Sequence, residues 1–213
     1  MTKKALSDLP RLRLNFQRDL LEAGCDEAGR GCYAGPVFAA AVILPKRFHH
    51  PLLNDSKLLK PEIRTELRYY IEKKAIAFAV AQVSVEEIDA INILKASQKA
   101  MHLALDALNP TASFIAVDGN YFIPYRQVPH TCIVKGDGKY AHIAAASILA
   151  KTYRDEYMQR IHEEFPHYNW VSNKGYGTLT HRKAIEENGI CIHHRKSFNI
   201  LPGQPPAPED EWH

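Results

Sequence analysis

Two adjacent carboxylates, Asp26 and Glu27, stand between an apolar run and a Gly29-Arg30-Gly31 turn. A strand end tolerates one acid as a turn residue, but two acids beside an arginine suit a cation and a phosphate. Two further acids occupy similar settings: Asp118 in Val-Asp-Gly-Asn and Asp137 in Lys-Gly-Asp-Gly. Carboxylate oxygens bind hard cations such as Mg2+ and Mn2+, and several together are better neutralised by two ions than by one. Ions roughly 4 Å apart can clamp the attacking water and the leaving oxygen of a phosphodiester. Taken singly, Asp118 also reads as a turn residue and Asp137 as a helix cap. That all three places are mere punctuation is the weaker account.

The elements that must position these acids follow from the apolar pattern. Residues 20–25 read as a first strand with the two acids at its end, and 37–44 (VFAAAVIL), bounded by Pro36 and Pro45, as a buried second strand. Residues 76–83 make a third, and the three in succession predict an antiparallel meander. Pro61 opens a helix with Ile63, Leu67 and Ile71 on one face, and a single longer helix is expected over 91–108. Strands at 113–117 and 131–134 then alternate with a long Ala-rich helix over 140–161, which implies parallel pairing through crossover helices. In open α/β sheets ligands gather at the carboxyl ends of strands, so strands one and four as neighbours would bring Asp26 and Asp118 together. Successive strand residues face opposite ways. Both acids can therefore serve one site only if the backbone bends at Glu27, and Ala28-Gly29 makes such a bend inexpensive.

Gly29-x-Gly31-x-x-x-Gly35 also resembles a dinucleotide-binding turn, but Pro36 and a strand-like run follow where that motif needs a helix. The chain has 213 residues, 46% hydrophobic and 24% charged, with a net charge of +3. These values fit an ordinary globular domain and leave the partner's charge open. Four cysteines without a CxxC pair argue against a disulfide scaffold or zinc ribbon. No apolar leader or membrane-length run is visible, and a cytoplasmic location is expected.

CDEAGRG, DSK, VDGN, VKGDGKYAHIAAASILAKTYRD, NKGYGT and HHRKSF, in this order, resemble the ribonuclease HII family over most of residues 20–198. The resemblance implies an α/β fold, a ribonuclease H-like mixed five-stranded sheet flanked by helices, with a helical C-terminal extension. It implies an endonuclease that cleaves the RNA strand of RNA–DNA hybrids and incises 5′ of ribonucleotides embedded in duplex DNA, leaving 3′-hydroxyl and 5′-phosphate ends. Asp26, Glu27, Asp118 and Asp137 match the catalytic acids, the first three as ligands of two Mn2+ or Mg2+ ions. Gly29, Arg30 and Gly31 match the loop that grips the ribonucleotide, and Tyr176 matches the tyrosine at the RNA–DNA junction.

The domain organisation expected is an N-terminal arm (1–19), a catalytic domain (20–164), a C-terminal extension carrying the tyrosine turn (165–201) and a disordered tail (202–213). A monomer is expected, with a replication-factor partner left open. The glycine-rich turn lets backbone groups approach a sugar and sense its 2′-hydroxyl. Tyr176 can stack on a sugar or base, and Arg30 either meets phosphate or pairs with a neighbouring acid. Lys57, Lys135, Lys139, Lys151, Lys174 and Arg195 are candidate phosphate contacts, with Lys174 favoured. His181 and His193 are weaker candidates for phosphate contact or product release, and Asp155 reads as a helix acid paired with Lys151. A DNA-only nuclease on the same fold and a non-catalytic hybrid binder are the competing readings. Four acids facing a phosphate backbone argue against the binder.

Overall fold

The computed structural model describes residues 11–17 and 19–200. Its centre is a five-stranded sheet of β1 (Glu22–Ala28), β2 (Val37–Ile43), β3 (Ala77–Val83), β4 (Phe114–Asp118) and β5 (His130–Ile133). The spatial order is β3-β2-β1-β4-β5, antiparallel through β3, β2 and β1 and parallel from β1 to β4 and β5. The expected meander is present, and β1 lies beside β4, the condition for bringing Asp26 and Asp118 together.

Alternation on β1 and β2 sorts their side chains between two cores. Ala23, Cys25, Val37, Ala39 and Ala41 face one side, covered by α2 (Val85–Ile91) and α3 (Ile93–Asp106). Ala40 and Val42 face the other, beneath α1 (Pro61–Lys74) and the long α4 (Ala141–Glu164). Every residue of α4 from Ala141 to Ala150 is buried. Its small side chains let it lie against β1 so closely that a Cβ at Gly24 would run into the backbone of His142. A third cluster, with Met158, Trp170 and Ile185, joins the end of α4 to α5 (Trp170–Asn173) and α6 (Leu179–Asn188).

Three sequence expectations are corrected. The single helix over 91–108 breaks at Asn92, whose φ of 65° ends α2 while its side chain accepts from the Lys95 amide to start α3. Asparagine tolerates that left-handed conformation better than most residues. The first strand does not stop at Cys25 but runs through both acids to Ala28, paired with β2 as far as Ala28↔Phe38. There is accordingly no bend at Glu27; the chain turns one step later, at Gly29, with φ +96°.

Residues 11–17, within the expected N-terminal arm (1–19), are fastened to the body: Arg13 pairs with Tyr140 and Phe16 stacks on Phe114. The Phe16 and Gln17 amides donate to the Glu22 carboxylate, which also contacts His142. The expected tail (202–213) lies outside the described residues.

Candidate active site

Pairing between β1 and β4 ends at Cys25↔Val117, so Asp26 and Asp118 come next on adjacent parallel strands and face the same way. Asp26 points toward α4 and is buried; Ser147 of that helix hydrogen-bonds its carboxylate and lies 3.0 Å from Ser56. Glu27 starts from the opposite face, yet it lines the same open cleft of about 250 Å³ as Asp26 and Asp118. It can do so without a backbone bend because β4 has ended, which leaves the flank of β1 unwalled beside it. Asp118 Oδ1 accepts the Gly136 amide at 2.6 Å and thereby fastens the turn that carries Asp137. Asp137 does not cap α4, whose N-cap is Tyr140. One of its oxygens takes the Gly138 amide at 3.0 Å, and the other is buried without a hydrogen bond, 3.9 Å from Lys57 Nζ.

These acids strain one another. Burial first, then the charges of Glu27, Asp118 and Asp137, hold the Asp26 carboxyl well above the usual carboxylate range. Burial likewise raises Glu27 despite the Arg30 guanidinium 3.2 Å away. Burial and Asp118 push Asp137 up to about 6. Burial would lower the Lys57 ammonium, but Asp137, Asp55, Asp26 and Asp118 together outweigh it and hold it above its ordinary value. Among the described residues no three candidate ligands close into a preformed cage. The cleft instead presents the separated, under-neutralised oxygens of Asp26, Glu27 and Asp118, while Asp137, with its orphaned oxygen, is buried outside the lining on the turn that Asp118 fastens. Such a donor set suits hard divalent ions that keep part of their shell for water and substrate.

Two buried arginines hold the loops beside the acids. Arg195 donates to the carbonyls of Gly29, Arg30 and Gly35 at 2.6 to 3.0 Å. Arg154 donates to those of Ala34, Pro36 and Lys174 at 2.8 to 3.1 Å. Gly29 is required twice over, by its positive φ and because a Cβ there would run into Arg154. The tyrosine turn is laced to the first loop by a Cys32↔Tyr176 bridge and by the Tyr33 amide donating to Gly175 O at 2.8 Å.

The structure brings Asp26, Glu27, Asp118, Gly29, Arg30, Gly31, Lys57 and Tyr176 around one cleft, and Lys151 and its partner Asp155 join them. Lys174 instead lines a neighbouring cleft with Arg64 and Arg68. Arg195 is fully buried on carbonyl groups and cannot meet phosphate, and His181 is equally inaccessible. Ser147 and Arg154 were missed: both sit in the Ala-rich helix, where nothing local separates a polar residue aimed at the site from one aimed at solvent.

His194 is buried against His181, and burial pushes its imidazole down to about 4. A histidine with a lowered folded-state value contributes stability that is complete above about pH 6.5 and is lost as the pH falls toward 4. By NMR, the His194 ring should therefore show no titration between pH 8 and 5. A midpoint near 6.5 for His194 would contradict its burial.

The family model for ribonuclease HII matches residues 23–200. The chain is 61% identical over 186 residues to ribonuclease HII of Bacteroides thetaiotaomicron, covering 87% of this chain and 93% of that one. The chain belongs to the ribonuclease HII family. Ribonuclease HII in its complex with PCNA from Archaeoglobus fulgidus superposes with a TM-score of 0.70 at 29% identity, over 83% of this chain and 94% of that one. Bst-RNase HIII in complex with Mn2+ shares the fold at 18% identity, TM-score 0.62, over 92% and 70% of the two chains. The sheet is thus ribonuclease H-like, and membership makes the chain a hydrolytic endonuclease acting on RNA–DNA hybrids and on ribonucleotides in duplex DNA. Among the described residues no helix is long and apolar enough to cross a membrane.

Proposed function

We propose that Asp26, Glu27 and Asp118 hold two Mg2+ or Mn2+ ions at the end of β1 and β4, with Asp137 completing the catalytic acids. The carrying observation is the shared cleft in which buried, mutually repelling carboxylates meet the loop of Gly29 to Gly31. The Mn2+ complex of the ribonuclease HIII relative supports a divalent ion, and the oxygen donors accept either metal. When bound, the ions neutralise the acids and stabilise the charge that develops on the phosphate during hydrolysis.

The chain's own groups then divide the remaining work. Glycine at position 31 answers to no packing demand, since a Cβ there would meet nothing within 4 Å. Its bareness leaves clearance for a sugar, whose 2′-hydroxyl the loop's backbone groups can bond. Arg30, half-exposed and resting on Glu27, is placed to turn toward phosphate when ions neutralise that acid. Exposed Lys57, held charged by the surrounding acids, supplies a second phosphate contact. Lys174 in the next cleft would touch the flanking duplex. Tyr176, 45% exposed on a turn fixed from behind, offers its ring beside the deoxyribose that follows the ribonucleotide. The expected domain boundaries, monomeric state and an undetermined protein partner belong to this reading.

Asp118→Asn should lower Mg2+-supported incision of a DNA duplex with one ribonucleotide by at least about a thousandfold, while binding changes little. Unchanged cleavage would remove Asp118 from the metal site. An all-DNA duplex run alongside should stay intact; cutting it would favour the DNA-nuclease reading.

A further inference from the structure

The tyrosine turn is held by a chain of hydrogen bonds that ends on the carbonyl of Tyr176. His181, the third residue of α6, has no exposed surface, and its Nδ1 lies 2.9 Å from Tyr176 O. Its Nε2 lies 3.1 Å from His194 Nε2 and accepts the Trp170 indole N–H at 3.0 Å. The Cys191 amide donates to His194 Nδ1 at 3.0 Å.

These contacts fix both tautomers. Because His194 Nδ1 accepts from an amide, its proton is on Nε2 and is donated to His181 Nε2. That nitrogen also receives the indole, so the His181 proton can only be on Nδ1, where Tyr176 O accepts it. No carboxylate takes part. The chain runs inside the C-terminal cluster and emerges at Tyr176, the one aromatic residue among the described residues that lines the acid cleft.

We propose that His181 is a positioning residue for Tyr176, holding the carbonyl of the turn through a tautomer that Trp170 and His194 lock, and so sets the preference for the ribo-to-deoxyribo junction. The tyrosine backbone is thereby gripped from two sides, by Cys32 across the isolated bridge and by His181 from beneath. A ring used to gauge the absence of a 2′-hydroxyl must be held to a fraction of an ångström, and a turn flanked by two glycines cannot supply that stiffness itself. This inference rests on the reading of Tyr176 as the junction residue.

Two substitutions separate the two ring nitrogens. Asparagine keeps a donor near the Nδ1 position, whereas glutamine keeps a polar group near Nε2 and loses the hook. The readout is the ratio of incision at a single ribonucleotide in duplex DNA to cleavage of a long RNA–DNA hybrid. It is independent of how much of each preparation is folded. His181→Gln should lower that ratio roughly tenfold, the scale of one lost hydrogen bond, and His181→Asn should restore most of it.

Tyr176→Ala is the reference, expected to lower the ratio at least as far. If Tyr176→Ala lowers the ratio and His181→Gln leaves it at the wild-type value, the positioning role is overturned. If Tyr176→Ala itself leaves the ratio unchanged, the junction reading of Tyr176 fails, and hydrogen exchange at the Thr178 amide, which also donates to Tyr176 O, decides the hook. Faster exchange in His181→Gln than in His181→Asn upholds it, and equal rates overturn it.

Discussion

Asp26→Asn should abolish cleavage and at the same time make the metal-free protein more stable at neutral pH. The carboxyl is buried, and its surroundings raise its pKa by burial first and by three neighbouring acids second. For such an acid the folded state favours the protonated form. Its contribution to stability is complete below the unfolded value of 3.8 and is lost as the pH rises through the higher folded value. Asparagine is nearly isosteric, still accepts a hydrogen bond from Ser147, and carries no charge to desolvate. Its gain should be about 1–3 kcal/mol at pH 7, or on the order of 5 °C in Tm for a chain of this size. The gain should shrink toward pH 4. Mn2+ should narrow the gap from the other side by raising the wild-type Tm more than that of the variant. Incision should fall about a thousandfold or more. Calorimetry at pH 4.5 and 7.5, in EDTA for the metal-free protein and in excess Mn2+ without EDTA for the loaded one, is the check. A variant less stable than wild type at pH 7.5 would mean that the acids are not in electrostatic conflict. A stability cost built into wild-type carboxylates is the mark of a site shaped for cations rather than for the fold.

Much of this was legible because the sheet's pattern is local. The apolar run of β2 between two prolines, the meander and the later strand–helix alternation are signals of this kind, but they leave open which strand lies beside β1; the adjacency of β1 and β4 and their register place Asp26 beside Asp118. The strand boundary was less legible, since hydrophobicity falls at Asp26 while the ladder to β2 continues through Ala28. Continued pairing with β2 as far as Phe38 outweighs the polarity of the side chains. The problem of two acids on opposite faces was real, but its solution is the early end of β4 rather than a bend in β1. That depends on the relative lengths of two strands far apart in sequence. The break at Asn92 was hidden because apolar spacing carries across it. The buried arginines were the least legible: Arg154 and Arg195 look like surface bases in the sequence. Only the tertiary arrangement shows that each meets a fan of main-chain carbonyls.

Arg195→Lys should be among the most damaging single changes away from the acids. The guanidinium is fully buried, crosses the Phe198 ring at 5.0 Å, and has three carbonyl groups as hydrogen-bond partners. Burial first, and Arg154 second, draw its pKa down to about 9, so it remains charged at pH 7. A planar fork with five N–H donors can address Gly29, Arg30 and Gly35 at once, whereas an ammonium on a thinner stem cannot span them. Lysine would leave at least one carbonyl without a donor and a void beside Phe198, and burial would press it toward the neutral amine. A loss of about 3–5 kcal/mol follows, roughly 10 °C in Tm. The effect should reach function while the protein is still folded, because the lost bonds are those that shape Gly29 to Gly31. At 20 °C, with folding verified by circular dichroism, KM for the single-ribonucleotide duplex should rise by tenfold or more, and kcat should fall less. A Tm within 2 °C of wild type, or a KM unchanged in a folded variant, would show that the loop keeps its shape without the arginine. The glycines of this loop cannot stiffen it. A buried cation drawn from the far end of the chain is the physical answer to that weakness, and it ties the segment around Arg195 to the loop from Gly29 to Gly35 through three carbonyl groups.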